Sequence, residues 1–161
     1  MDEYYRRVND HNKEAFKDRV PPPARPGDAT YVGAETCSNC HAQAYEFWKT
    51  TPHARAYATL EKQHKEFNLD CVSCHVTGYE KPAGSTVTHV KDLKDVQCEV
   101  CHGPGSRHED EPGDLAALVR SPPKTLCAPA CHHPPHVPAS WNVEVAWKLI
   151  LGKGHGEKVN R

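Results

Sequence analysis

Apolar positions are sparse along this chain, and where they recur they do so at helical spacing over short stretches. In residues 2–19 they fall at Tyr4, Val8, Ala15 and Phe16, which predicts one amphipathic helix; Pro21-Pro22-Pro23 and then Pro26-Gly27 end it. Ala42, Tyr45, Trp48 and Lys49 repeat at the same spacing, and Thr51-Pro52 marks a fresh helix start, so two short helices are expected between Cys37 and Leu60. Apolar residues at 143, 145–147 and 149–151, closed by Gly152, predict a last short helix. Between them, Val76 to Val90 mixes Thr and Val with Gly78, Pro82 and Gly84, which reads as a short irregular hairpin. Gly103-Pro104-Gly105 reads as a tight turn, and the acidic run Glu109–Asp114 as a surface loop. The pattern describes a mainly α fold with long loops, in which residues 1–30 form a helical arm and Pro-rich linker outside a body at 31–161.

Composition sharpens this picture. Only 37% of the 161 residues are apolar and 7% aromatic, with fourteen prolines and ten glycines. Globular domains usually carry roughly 45–50% apolar residues, glycine included. Such a chain builds a weak core by itself, so some other buried apolar mass is expected. The net charge of −1 offers no basic excess for nucleic acid, and no run of 18 apolar residues exists to cross a membrane. Met1-Asp2-Glu3 opens a polar stretch, unlike a signal peptide; if the protein is exported, this is expected to be its mature or recombinant form. Attachment to a membrane by a segment outside this chain stays open.

The eight cysteines supply the missing mass. Each lies in a close pair followed at once by histidine: Cys37 and Cys40 with His41, Cys71 and Cys74 with His75, Cys98 and Cys101 with His102, and Cys127 and Cys131 with His132. The fourth pair has three intervening residues where the others have two. C-x-x-C-H is the attachment signal for haem c. Two thiols add to the vinyl groups on one porphyrin edge, and the next residue lies under the iron as an imidazole ligand. Zinc sites or a disulfide framework would use the cysteines but leave the histidines unexplained, and with twelve histidines in 161 residues four such placements by chance are on the order of 10⁻⁵. A thioredoxin-like motif needs one C-x-x-C in a βαβ setting, which this chain does not offer. Intervals of 34, 27 and 29 residues between first cysteines, counted as 71 − 37, 98 − 71 and 127 − 98, are too uneven for a solenoid. Four haem c groups are therefore the expected cofactors, clustered to form the core.

The second axial ligands follow by elimination. Met1 is the one methionine and stands at the terminus, so bis-histidine ligation and low potential are expected. His133 adjoins His132 on the same side of its ring and cannot cap it. His108, six residues past His102, and His53, twelve past His41, more readily cap haems of other segments. His155, between Gly154 and Gly156, suits close approach of backbone to a haem face. His11, His64 and His89 read mainly as solvated, with His11 alternatively a ligand for a neighbouring subunit's haem.

Three stretches carry a family resemblance: Tyr31-Val32-Gly33, then Trp48 with Thr51-Pro52-His53-Ala54, then Val96-Gln97-Cys98-Glu99-Val100-Cys101-His102-Gly103-Pro104-Gly105. Together they resemble the tetrahaem cytochrome c-554 family, over about residues 31–156. The resemblance implies a mostly helical multihaem cytochrome that moves electrons between a redox protein donor and acceptor, in the periplasm or outside the cell. It implies that His108 caps the haem held by His41, His53 that held by His102, and His155 that held by His132. It also implies a five-coordinate haem on His75; the chain's own spare histidines, notably His64 and His89, are the candidates to close that site. An open iron there would make the alternative an enzyme reducing a small nitrogen oxide. A further alternative is a polymeric extracellular cytochrome, a homo-oligomer joined through the 1–30 arm.

Overall fold

The computed structural model describes residues 2–128, 130–134 and 136–155. Helices are short and separated by ordered loops: α1 Asp2–Ala15, α2 Ala34–Ser38, α3 Ala42–Thr50, α4 Ala56–Glu61, α5 Leu69–Val72, α6 Cys98–His102, α7 Ser106–Asp110 and α8 Val143–Ile150. Tighter 3₁₀ turns cover Pro52–Arg55, Lys91–Leu93 and Lys124–Leu126. Among the described residues there is no strand ladder, only the isolated bridges Val76–Lys94 and Tyr79–Ser85. The expected mainly α architecture is what forms. Pro52 opens its turn as the Thr51-Pro52 pair predicts, and Asn142 starts α8 by accepting the Glu144 and Val145 amides at 2.8 and 3.2 Å.

Protein packing centres where the sequence suggested only an irregular hairpin. Tyr57 and Leu60 of α4, Val72 of α5, and Val76, Val87 and Val90 of the following loop form one buried cluster, with Phe16, Phe67, Cys71 and Tyr79 against it. Thr77, Ser85, Thr86 and Val87 of this stretch are almost fully buried.

The N-terminal segment departs from expectation. It does not hang free as an arm but is bound into the body along its length. Asn9 is buried and accepts the Phe67 amide at 2.9 Å, while Asn12 donates to the Phe67 carbonyl at 2.9 Å, so two side chains bracket one backbone residue. Phe16 enters the core, and the linker continues the contact through Thr88 to the Phe16 carbonyl (2.6 Å), the Ala83 amide to Pro22 (2.8 Å) and an Arg19–Glu80 ion pair (2.8 Å). Asparagine recognition of backbone leaves no trace in hydrophobic periodicity, which is why residues 1–30 read as an appendage. His11 stays exposed on this helix.

One segment, residues 95–99, gathers the pieces that carry the histidines. The Asp95 amide donates to the His75 carbonyl (3.0 Å) and the Val96 amide to the His53 carbonyl (3.1 Å). Trp48 Nε1 donates to the Val96 carbonyl (2.8 Å), and the Ala34 amide to Gln97 Oε1 (2.7 Å). Glu99, inside the third motif and only 3% exposed, accepts three amides: Val32 at 3.0 Å, Gly33 at 2.9 Å and Gly105 at 2.7 Å. A buried carboxylate is tolerated when its lone pairs are met in this way, and each such charge-assisted bond contributes roughly 1.5–3 kcal/mol.

Candidate haem site

Two motifs present their histidines through a shared backbone bond to the first cysteine, whereas in the second the His75 amide bonds to the Val72 carbonyl at 2.9 Å. In the first, the His41 amide bonds back to the Cys37 carbonyl at 2.9 Å; in the fourth, the His132 amide bonds back to the Cys127 carbonyl, also at 2.9 Å. The extra residue of the wider motif is thus taken up inside the loop, and histidine keeps its relation to the first cysteine. Pro129, one of the three intervening residues, lies outside the described residues.

Thiols from different motifs meet. Cys37 and Cys98, Cys74 and Cys131, and Cys101 and Cys127 lie close enough to perturb one another, so the four motifs come together. In the thiol state the contact with Cys98, then burial, pushes Cys37 up, and the same contact pushes Cys98 down. Burial, then the Cys74 contact, pushes Cys131 up to about 12. All eight cysteines are free of disulfides, and no cluster of three or more metal-ligating side chains occurs among the described residues.

The imidazoles form facing pairs. His41 and His108 lie with ring centres 6.2 Å apart and planes 19° from parallel. The His53 and His132 ring centres lie 6.0 Å apart, tilted by 56°, and Trp141 stacks on His132 at 4.7 Å and 6°. His102 was the expected partner of His53; the imidazole beside it here is that of His132. The bond from Val96 to the His53 carbonyl fixes the Pro52–Arg55 turn in place, and its ring meets the fourth motif there. His155 lies close enough to His102 and His41 for their charges, after burial, to push its pKa down. Glycine permits close packing here: a Cβ on Gly154 (φ +84°) would lie 2.6 Å from the Ala44 amide nitrogen of α3, and one on Gly152 would lie 2.1 Å from the Phe47 ring. Gly156, the other expected flank, lies outside the described residues. His89 rests its Nδ1 on Thr88 Oγ1 at 3.0 Å, and His64 sits just past the end of α4 with φ 54°. Neither faces His75.

Two proximal rings are anchored by carbonyls. His75 Nδ1 lies 2.5 Å from the Ala56 carbonyl, and His102 Nδ1 lies 2.8 Å from the Val119 carbonyl. A carbonyl only accepts, so Nδ1 carries the proton in both and Nε2 keeps its lone pair for a metal. Burial lowers the pKa of His53, His132 and His155, which favours the neutral, ligating form.

These residues fit haem iron. Two imidazoles bound to one metal at about 2.0 Å per metal–nitrogen bond set their ring centres roughly 6 Å apart, as in both facing pairs. His108 Nδ1 and His155 Nδ1 are buried without hydrogen-bond partners, nitrogens whose lost hydration no protein group replaces. The residues that position the histidines, namely Ala56, Val119, Asp95, Gln97 and Glu99, went unnoticed in the sequence. Only the last two carried a signal, as part of the stretch Val96–Gly105.

Cysteine pairs, trailing histidines and facing imidazoles define the class: a c-type cytochrome. Residues 36–103, which hold the first three motifs, match the family described as cytochrome c554 and c-prime. Cytochrome c-554 of Nitrosomonas europaea is 36% identical over 94 residues, covering 48% of this chain and 40% of the relative. A structure of cytochrome c554 from the same organism in its reduced state shares 35% identity over 53% of this chain and 49% of that chain, with a TM-score of 0.47. The chain thus matches less than half the length of these relatives. The family match stops short of the fourth motif, for which the bond from His132 to Cys127 speaks. No helix among the described residues is long and apolar enough to cross a membrane.

Proposed function

We propose that the chain is an electron relay carrying four haem c groups, one per Cys-Cys-His motif, mostly bis-histidine and of low potential. It would pass electrons between a protein donor and a protein acceptor in the periplasm or outside the cell. The observation that carries this reading is the facing of His41 and His108 at 6.2 Å. When bound, haem c supplies a one-electron iron centre. The chain's own residues do the rest. Cysteine pairs would hold each ring covalently, neutral imidazoles would ligate the iron, and the closeness of Cys37 to Cys98, Cys74 to Cys131 and Cys101 to Cys127 gathers the attachment points.

One observation favours a second reading at a single centre. His75 has the Ala56 carbonyl and, at 3.4 Å, Thr59 Oγ1 beside its ring, and no imidazole faces it among the described residues. A centre of that kind would bind a small nitrogen oxide. EPR of the oxidised protein separates the two readings. Low-spin signals alone support a pure relay, whereas a high-spin signal abolished by His75→Ala, together with nitric oxide binding, supports the second.

A further inference from the structure

The peptide group between Ala56 and Tyr57 is held at both ends. Its carbonyl accepts from His75 Nδ1 at 2.5 Å, and its amide, on Tyr57, donates to Asp95 Oδ1 at 2.7 Å. Asp95 is itself placed with care. It adopts φ 75°, a conformation that costs most residues energy but that aspartate, asparagine and glycine reach more readily. Its amide bonds to the His75 carbonyl at 3.0 Å, and its own carbonyl accepts from Thr77 Oγ1 at 2.9 Å. The carboxylate is half-buried. Burial raises its pKa and the Tyr57 amide opposes that rise.

We propose that Asp95 is a positioning residue for the centre on His75, acting through the Ala56–Tyr57 peptide. A carboxylate bonded to a peptide N–H increases the negative charge on that peptide's carbonyl oxygen, because the two ends of the amide are conjugated. The carbonyl then accepts more strongly from Nδ1–H, the imidazole becomes a stronger electron donor at Nε2, and the ferric state of a bound iron is favoured. Metal-bound histidines are commonly tuned by a carboxylate in direct contact with Nδ1–H; here one peptide group stands between the two. None of the other proximal histidines shows this arrangement among the described residues: His102 meets the Val119 carbonyl alone. The inference rests on His75 being an axial ligand.

Potentiometric titration of the haem-loaded protein tests it with two variants that suit φ 75°. Asp95→Asn keeps an acceptor without charge; Asp95→Gly removes both. The expected result is a graded rise in one of four midpoint potentials, wild type below Asn below Gly. For Gly the rise is on the order of a tenfold change in that centre's oxidised-to-reduced ratio, ~59 mV for one electron. Equal rises in Asn and Gly would point to charge acting through space and overturn the relay. No rise, or one spread over every centre, would also overturn it. A wild-type protein with fewer than four couples, or a centre on His75 that survives His75→Ala unchanged, would instead defeat the reading of His75 as a ligand. Matching thermal midpoints for the two variants and wild type show that the fold is kept.

Discussion

The imidazole of His108 stands 6.2 Å from that of His41, with the two planes 19° from parallel, although 67 residues separate them (108 − 41). Helix α7 carries His108, and a reciprocal contact holds that helix against the start of the body: the Thr30 amide donates to Ser106 Oγ at 2.8 Å, and the Ser106 amide to the Thr30 carbonyl at 3.1 Å. The spacing is that of two axial ligands on one metal.

His108→Gly should therefore convert one low-spin centre to high-spin and leave the other signals in place. Added imidazole should restore the low-spin form by filling the opened position. EPR of the oxidised protein with and without imidazole reads both steps, and a spectrum unchanged by the substitution contradicts the pairing.

The facing of His53 with His132 makes a sharper demand. Trp141 stacks on His132, so His53→Gly and Trp141→Ala should perturb the same redox couple, with effects that do not add. Potentiometry of the two single variants and the double decides it. Effects on different couples, or simple additivity, would return His53 to another motif.

Glu99 holds the lead of the first motif against the third. Glu99→Ala leaves the amides of Val32, Gly33 and Gly105 without their acceptor inside the protein, and a loss of roughly 3–5 kcal/mol in stability is expected. Glu99→Gln keeps one carbonyl oxygen and should cost less. Denaturant unfolding of both variants gives the comparison, and near-neutral values would remove Glu99 from its structural role.

Alkaline pH should expose the core. Burial, reinforced by the charges of Glu61 and Glu66, pushes the Tyr57 phenol up to about 12. Unfolded tyrosine ionises near about 10. The folded state thus keeps its proton where the unfolded state has lost it. The contribution is full below pH about 10 and is lost as pH rises toward about 12, a change of roughly 2 kcal/mol. Stability measured across that window should fall in wild type and fall less in Tyr57→Phe.

The candidate site was legible as far as residue spacing carries it. Cysteine pairs followed by histidine are visible without any structure, and the lack of a usable methionine pointed to histidine pairs. The partners were harder to read. Which histidine meets which depends on where loops cross, and the crossing is set by backbone contacts, such as the Val96 amide on the His53 carbonyl, that any residue type could supply. The same limit hid the docking of α1, made by Asn9 and Asn12 on the backbone of Phe67. Fold class was readable from short helical repeats and frequent prolines. The buried loop around Thr77, Thr86 and Val87 was not, because its polar side chains are satisfied internally and look solvated in sequence.

The central claim is four covalent haems on one chain, including one on the widened Cys127–Cys131 motif. Intact mass spectrometry of the protein after acid–organic extraction measures it most directly. A mass increased by four haems that resist extraction is the predicted result; three or fewer, or haem released by the solvent, would contradict it.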